Sequence, residues 1–431
     1  MARTEQDEPV TYWEKKRDRA LKIRRLRRLL QAVVLFLATF YVAARTEFWK
    51  LGREPEPTAE PALSMGRDLN DLLGPIRERF ELPALAAALI DGQSILASGA
   101  VGVRRLGAGE AVTLEDQWHI GSCTKAITAT QAGILVDRGV IGWNLTLADV
   151  FGDIEGGVHG RYREVTIEQV LGHRGGLPLL PEGEMWDVLR SWGSEGETQR
   201  QVLAGQLLSA PPATWPGSTL YSNTGYAIAA AMMERAAGQP WEELVETDIF
   251  EPLRMERAGF GAPGSANDLE LASQPWGHRE AEGVFTPVPP GRGADLPSAF
   301  APASGVNVNL SDWARFAQLH LKGAQGRSEF LEPTTFEVLH TPYGRQSYAM
   351  GWNVQKAPWA SGNMLVHAGS NQRWYSLAIL VPTQDFGILI ATNCGGESAR
   401  AAVEEVSSEL VELLQRRRGK VDDNRLAALE R

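Results

Sequence analysis

The sequence predicts an α+β fold: one antiparallel sheet built from both ends of the globular region, covered by helices, with a mainly helical subdomain inserted in the middle. Three observations predict it. Hairpin signals flanked by strand-forming residues occur early, around Asp91, and late, around Pro382. The long stretch between them reads as helices and loops. Regular alternation of strands with crossover helices, which marks a doubly wound parallel sheet, is absent.

Leu85–Ile90 and Ser94–Val103 are apolar, strand-like runs flanking Asp91-Gly92, a two-residue hairpin signal. Thr124–Arg138 carries apolar residues at helical spacing and stops at Gly139. Gly225–Ala237 is alanine-rich and stops at Gly238, while Ser311–Leu321 and Val403–Leu414 are amphipathic. Trp374–Val381 and Phe386–Thr392 flank Pro382-Thr383-Gln384-Asp385, a second hairpin. Glu182–Gln199 and the Pro/Gly-rich Ala262–Pro302 read as loops that shape a cleft. No internal repeat is present.

With 431 residues, 43% hydrophobic and 22% charged, the chain can bury a sizeable core, which excludes wholesale disorder. Two cysteines, Cys123 and Cys394, exclude a disulfide scaffold. No CxxC or HExxH pattern points to zinc, and no cofactor is expected. A net charge of −10 argues against a nucleic-acid partner. That total hides a split: residues 1–50 carry 12 Lys/Arg against 6 Asp/Glu, a net of +6, leaving −16 for the rest. Lysine is scarce, 8 against 35 arginines, so a lysine in the globular region calls for a reason.

Nine basic residues between Lys15 and Arg28 precede the apolar run Leu29–Ala44. Basic then apolar is the pattern of a signal peptide or a signal anchor. As a helix the run spans about 24 Å, short of a hydrocarbon core of about 30 Å. Arg45, Phe48 and Trp49 can extend it into the interface. Val42-Ala43-Ala44 would serve as a cleavage site, but the long leader favours an uncleaved anchor. The expected organisation is a cytoplasmic basic segment (1–28), an anchor or signal (29–49), a Pro/acidic linker (50–64), an exported globular domain (65–415) and a charged tail (416–431). The expected location is a bacterial cell membrane, single-pass, with the globular domain outside the cytoplasm, or secreted if the leader is cleaved.

Ser122-Cys123-Thr124-Lys125 opens a helix. Positions i and i+3 share a face, so the hydroxyl and the amine can meet. The helix start also offers free N–H groups to a developing oxyanion. A serine nucleophile needs a base and such donors. Lysine can lose its charge when desolvated; arginine cannot. The plainer alternative is an N-capping serine beside a surface lysine. Tyr221-Ser222-Asn223 precedes another helix; a tyrosine oxygen can relay a proton and an asparagine amide can orient a lysine or a substrate carbonyl. Alone it is an ordinary loop–helix junction. In His367-Ala368-Gly369-Ser370 the glycine permits close approach of a substrate. His173-Arg174-Gly175-Gly176 reads as a helix stop. The absence of GxSxG disfavours an α/β-hydrolase elbow.

The ordered set Ser122-x-x-Lys125, Tyr221-x-Asn223, His367-x-Gly369 resembles the serine β-lactamase and penicillin-binding-protein superfamily. It is most similar to the class C-like branch of β-lactamase-related serine hydrolases, which includes esterases and D-amino-acid peptidases. Trp118–Lys125, Leu171–Pro178, Gly305–Phe316 and Met350-Gly351-Trp352 support it, so the resemblance runs from about Met65 to Leu414. It implies Ser122 as the acylated nucleophile and Lys125 as the partner that helps deprotonate it. Tyr221 would be the general base for acylation and the proton donor to the leaving group. Asn223 would position Lys125 and the substrate, with His367 and Gly369 at the substrate, and the oxyanion hole would be the backbone N–H of Ser122 and Ser370; outside the resemblance, Arg373, four residues beyond Gly369, can swing into the cleft and take the place of a lysine there. Two departures stand out. His367 occupies a place where β-lactamases and penicillin-binding proteins usually have a lysine for the substrate carboxylate. Asn371-Gln372-Arg373-Trp374 replaces glycine-rich sequence. Both point away from antibiotic hydrolysis.

The expected function is therefore a membrane-anchored, extracytoplasmic serine hydrolase that cleaves an ester or amide of a small-molecule or peptide substrate through an acyl-enzyme on Ser122. The alternatives are a peptidoglycan D-peptidase or weak β-lactamase, and a non-catalytic scaffold that keeps the fold.

Overall fold

The computed structural model describes residues 67–429 apart from 192–195, 266, 269, 270 and 292, with side chains from Asp68 to Gln415. In chain order the described strands are β1 (Arg67–Asp68), β2 (Ala84–Ile90), β3 (Ile95–Gly102), β4 (Trp118–His119), β5 (Ala258–Phe260), β6 (Gly277–Ala281), β7 (Val284–Val288), β8 (Val306–Val308), β9 (Asn353–Lys356), β10 (Asn363–Ser370), β11 (Tyr375–Val381) and β12 (Phe386–Thr392). Seven of them form the main sheet, in the order β1-β3-β2-β12-β11-β10-β9. Every neighbouring pair is antiparallel except β1 with β3. The two chain ends meet at its centre, where Ile90 faces Gly387 and Leu85 faces Thr392. The α+β architecture read from the hairpin signals is the one observed.

Strands β2, β11 and β12 are buried at every residue, so both faces of the sheet are covered. Helices Asn70–Arg79 and Glu397–Leu429 pack on the sheet, as does helix Leu310–Ala324. Double coverage is why these strands read as continuous apolar runs rather than an alternating pattern. Each large aliphatic side chain buried there contributes about 1.5–3 kcal/mol.

The first hairpin differs from its sequence reading. Ile90 pairs with Ile95 and the Asp91 N–H donates to Ser94 O (3.0 Å), so the turn residues are Gly92 and Gln93 rather than Asp91 and Gly92. Gly92 does not take the left-handed conformation that a two-residue type I′ turn requires. Instead Asp91 Oδ1 accepts from the backbone N–H of Gln93 (2.8 Å) and Ser94 (2.7 Å), closing the turn with a side chain. The second hairpin has its four residues between Val381 and Phe386, as read.

Three other stretches depart from the sequence reading. Glu182–Gln199 is largely helical, as helix Glu184–Ser191 and the start of helix Gly196–Ser209. The Ala262–Pro302 excursion contains the β6–β7 hairpin. The last helix runs from Glu397 to Leu429, through the boundary placed at 415/416. Residues 29–49, expected to enter the membrane, lie outside the described residues. Among the described residues no helix is long and apolar enough to cross a membrane.

The inserted helical region is tied together by a buried ion cluster. Arg200, fully buried on helix Gly196–Ser209, donates through Nε to Glu234 Oε1 (2.8 Å) and through Nη2 to Glu242 Oε2 (2.6 Å). Glu234 lies on helix Asn223–Ala237, so the cluster fixes the helix whose first residue is Asn223. Breaking such a pair strands a buried charge, which makes the helix orientation hard to alter.

Candidate active site

Helix Thr124–Asp137 runs through the core with twelve of its residues buried. A 3-10 turn, Gly121–Cys123, leads into it and presents Ser122 at its entrance. Glycines explain how the turn sits against the end of β10. Gly121 has φ +51°, and a Cβ there would lie 2.6 Å from the Ser370 nitrogen. A Cβ on Gly369 would lie 2.0 Å from the Ile120 carbonyl oxygen and 2.8 Å from the Ser122 nitrogen. Only glycine on both sides allows backbone to meet backbone here. Ser376 Oγ reinforces the contact by donating to Ile120 O (2.7 Å). The backbone segments that carry Ser122 and Ser370 thus run side by side.

Lys125 is completely buried one helical turn on from Ser122. Its Nζ lies 3.2 Å from Ser122 Oγ, 2.7 Å from Asn223 Oδ1 and 2.9 Å from Ala303 O. Desolvation drives its pKa well below the ordinary lysine value. A neutral amine has two N–H groups, which Asn223 and Ala303 can take, and one lone pair, which then faces the serine hydroxyl. The rings of Tyr221 and Tyr226 lie 4.7 and 5.4 Å from Nζ.

Helix Asn223–Ala237 supplies the second element. Ser222 is its N-cap, accepting from Gly225 N–H (2.7 Å) and donating to Pro178 O (2.6 Å). This cap sets Tyr221 on one side and Asn223 on the other. Tyr221 thus stands beside Ser122, and burial raises its pKa above the ordinary tyrosine value, so it is a phenol.

His367 is buried on β10, with Nδ1 donating to Gly351 O at 2.5 Å. Burial, and then the nearby Lys125, pull its pKa down to about 3, so the ring is neutral at physiological pH. Gly351 has φ +78°, and a Cβ there would strike Ala126 Cα at 2.4 Å, which pins this carbonyl against the helix that bears Lys125. Arg373, half-buried three residues past Ser370, donates through Nη1 to Asn371 O (3.1 Å). Burial lowers its pKa, and Arg279 and Arg190 lower it further, while Asp295 raises it.

Several contributors carry no sequence signal. His173 does sit at the end of helix Ile167–Leu171 with φ +58°, as a helix stop should. Its ring, however, packs 4.3 Å from both Tyr221 and Tyr348, and its Nδ1 accepts from Ser222 N–H (3.2 Å). Ala303 contributes only a carbonyl. Next to it Ser304 lines a cavity of about 1050 Å³ together with Leu189, Arg190, Phe260, Asp295 and Phe300. Ser122 is not in the cavity wall; the cavity adjoins the site through the Ala303–Ser304 segment. Among the described residues no group of three His, Cys, Asp or Glu could hold a metal ion.

A sheet closed by both chain ends, with this helical insertion, defines the β-lactamase and penicillin-binding-protein fold. Residues 69–410 match the family described as Beta-lactamase, and the chain belongs to that family of hydrolases. The unguisins hydrolase ungD′ of Aspergillus campestris is 26% identical over 342 residues, which are 76% of this chain and 62% of that protein. Penicillin-binding protein 4 of Amycolatopsis lactamdurans is 29% identical over 250 residues, 57% of this chain and 61% of that protein. The chain thus spans about three fifths of the length of these curated relatives. The octameric penicillin-binding protein homologue of Pyrococcus abyssi superimposes with a TM-score of 0.63 at 19% identity, covering 80% of this chain and 77% of that one.

Proposed function

We propose that the protein is a serine hydrolase that cleaves an ester or amide through an acyl-enzyme on Ser122. The observation that carries this reading is the 3.2 Å contact between Ser122 Oγ and the amine of a fully buried lysine. Lys125, neutral in the resting site, takes the hydroxyl proton as Oγ attacks the carbonyl carbon. The N–H groups of Ser122 and Ser370 receive the oxyanion. Tyr221 gives its proton to the leaving group and recovers one from the Lys125 ammonium. Water then attacks the acyl-enzyme, losing its proton to Lys125, and Lys125 passes that proton to Ser122 Oγ as the C–O bond breaks, releasing the acid and restoring the neutral amine. The resemblance makes Tyr221 the acylation base. Its raised pKa favours the amine as base instead and leaves the phenol as proton donor.

A neutral His367 offers no cation to a substrate carboxylate, and charge-assisted hydrogen bonds are worth about 1.5–3 kcal/mol. Neutral esters and amides are therefore expected to be cleaved faster than penicillins or cephalosporins. A panel of short-chain esters, D-amino-acid amides and a chromogenic cephalosporin tests this. Arg373 supports the second reading, a peptidase or β-lactamase acting on carboxylate substrates, since it lies just beyond Ser370. A wild-type preference for carboxylates that Arg373→Ala abolishes would establish that reading in place of ours. The relatives' names, a hydrolase and a penicillin-binding protein, are compatible with either.

The basic segment followed by the apolar run Leu29–Ala44 places the enzyme, on our reading, at a bacterial cell membrane with its catalytic domain outside the cytoplasm. The protein is expected to stay with membranes through a high-salt wash, and a reporter fused after Arg431 to be active only outside the cytoplasm. A soluble exported form beginning at Arg45 would show cleavage rather than anchoring.

A further inference from the structure

We propose that Asp295 and His119 are positioning residues that clamp the two halves of the oxyanion hole at their working separation. The proposal rests on the reading of Ser122 as nucleophile and of the Ser122 and Ser370 N–H groups as oxyanion donors.

His119 ends β4 three residues before Ser122 and is 1% exposed. Both ring nitrogens are engaged. Nδ1 accepts from the Gly121 N–H (3.2 Å), which assigns the ring proton to Nε2. Nε2 lies 2.8 Å from Asp295 Oδ2, so that proton points at the carboxylate. The ring also stacks on Trp374, with centroids 5.2 Å apart and planes at 26°. The other carboxylate oxygen, Oδ1, accepts from Leu296 N–H (2.7 Å) and from Asn371 Nδ2 (3.3 Å). Asn371 follows Ser370, and its own Oδ1 accepts from the N–H groups of Arg373 (3.1 Å) and Trp374 (3.2 Å).

These bonds form a circuit. One arm runs from Asp295 through His119 to Gly121, the residue before Ser122. The other runs from Asp295 directly to Asn371, the residue after Ser370. A single carboxylate is thus joined to both backbone segments that would hold the oxyanion. Gly121, at φ +51°, is the residue directly before Ser122, and the bond from its N–H to His119 Nδ1 holds that conformation. Oxyanion contacts tighten in the transition state, so their spacing should affect turnover and leave ground-state binding nearly unchanged. Asp295 also lines the 1050 Å³ cavity, so the clamp comes from the excursion that walls it.

The test uses the full-length enzyme with Asp295→Ala, Asp295→Asn and His119→Phe, the last keeping a ring against Trp374. Asp295→Ala and His119→Phe should each lower kcat about 10–100-fold, the size expected for a sub-ångström loss of alignment or a weakened oxyanion donor. KM and Tm should stay close to wild type. A boronic acid, which forms a tetrahedral adduct on the serine, should lose affinity in step with kcat. Asp295→Asn presents one acceptor where two are needed and should fall between wild type and Asp295→Ala. A loss that follows Tm, or that appears in KM alone, would assign these residues to packing or to the cavity wall and overturn the clamp. The second readout needs no catalysis. Amide hydrogen exchange at Gly121 should accelerate at least 10-fold in Asp295→Ala and His119→Phe, with β11 unchanged. Unchanged exchange at Gly121 overturns the clamp even if Ser122 proves not to be a nucleophile, and accelerated exchange with no serine labelling overturns the nucleophile reading alone.

Discussion

Ser122→Ala is expected to lower kcat by about 10⁴–10⁶-fold, the range seen when a hydrolase loses its nucleophile. In transition-state terms this is about 5–8 kcal/mol. The stability of the variant should barely change, because Ser122 is only partly buried and its hydroxyl makes one hydrogen-bond contact, with Lys125. The residual rate would come from the oxyanion donors and substrate binding, which the substitution leaves in place. The same variant checks the chemistry directly. A fluorophosphonate should label the wild-type protein on the peptide containing Ser122 and should not label Ser122→Ala. Persistent labelling in the variant would move the nucleophile elsewhere, and a wild-type protein that neither labels nor turns over any ester or amide would favour a non-catalytic scaffold.

Lys125→Arg should cost nearly as much as Lys125→Ala, about 10²–10⁴-fold in kcat/KM, as expected for loss of a general base. Arginine keeps the charge but cannot become neutral in a protein. Desolvation lowers the Lys125 pKa, so the reactive neutral form accumulates as pH rises through that lowered value. Wild-type kcat/KM should therefore climb on the acid side at a pH below the ordinary lysine range and fall only where Tyr221, whose pKa is raised, begins to ionise. His173 and His367 both face Lys125, but burial holds both pKa values far below ordinary, so neither should supply the acid limb. Cys123 is held as a thiol, its pKa pushed up to about 12. A Lys125→Arg enzyme with a near-normal rate and an unchanged acid limb would show that the lysine is only a structural cation.

The legible parts of this protein were those written in local chemistry. Turn residues between apolar runs marked both hairpins, and from them the meeting of the chain ends followed. Serine and lysine three positions apart on a helix start specified their own contact. Strand β10 is harder to read: Asn363–Ser370 mixes glycine, serine and histidine because its end must lie flat against the Gly121–Cys123 turn, and that removes the usual strand signature. The Asp91 turn sits one residue further on than the Asp-Gly pair signals, because the aspartate side chain joins the backbone bond from Asp91 N–H to Ser94 O in closing it. The carbonyl of Ala303 binds Lys125 without any side chain to announce it. Asp295 meets His119 across 176 positions, and each alone is an unremarked polar residue. Such partners become visible only when the fold brings them together.

The central pairing of β2 with β12 has a cost in time. Thr392 Oγ1 donates to Ala84 O across 308 positions of sequence. Emerging from the ribosome at about 5–20 residues per second, the β2–β3 hairpin would wait about 15–60 s for the strand that covers its inner edge. Until then that edge presents unpaired backbone groups on an apolar ribbon, the condition under which chains pair with the wrong partner. The sheet is thus completed only when β12 arrives, and its last covering helix follows still later; the helical insertion must be synthesised in full before Ser122 meets Tyr221, Asn223 and Ala303.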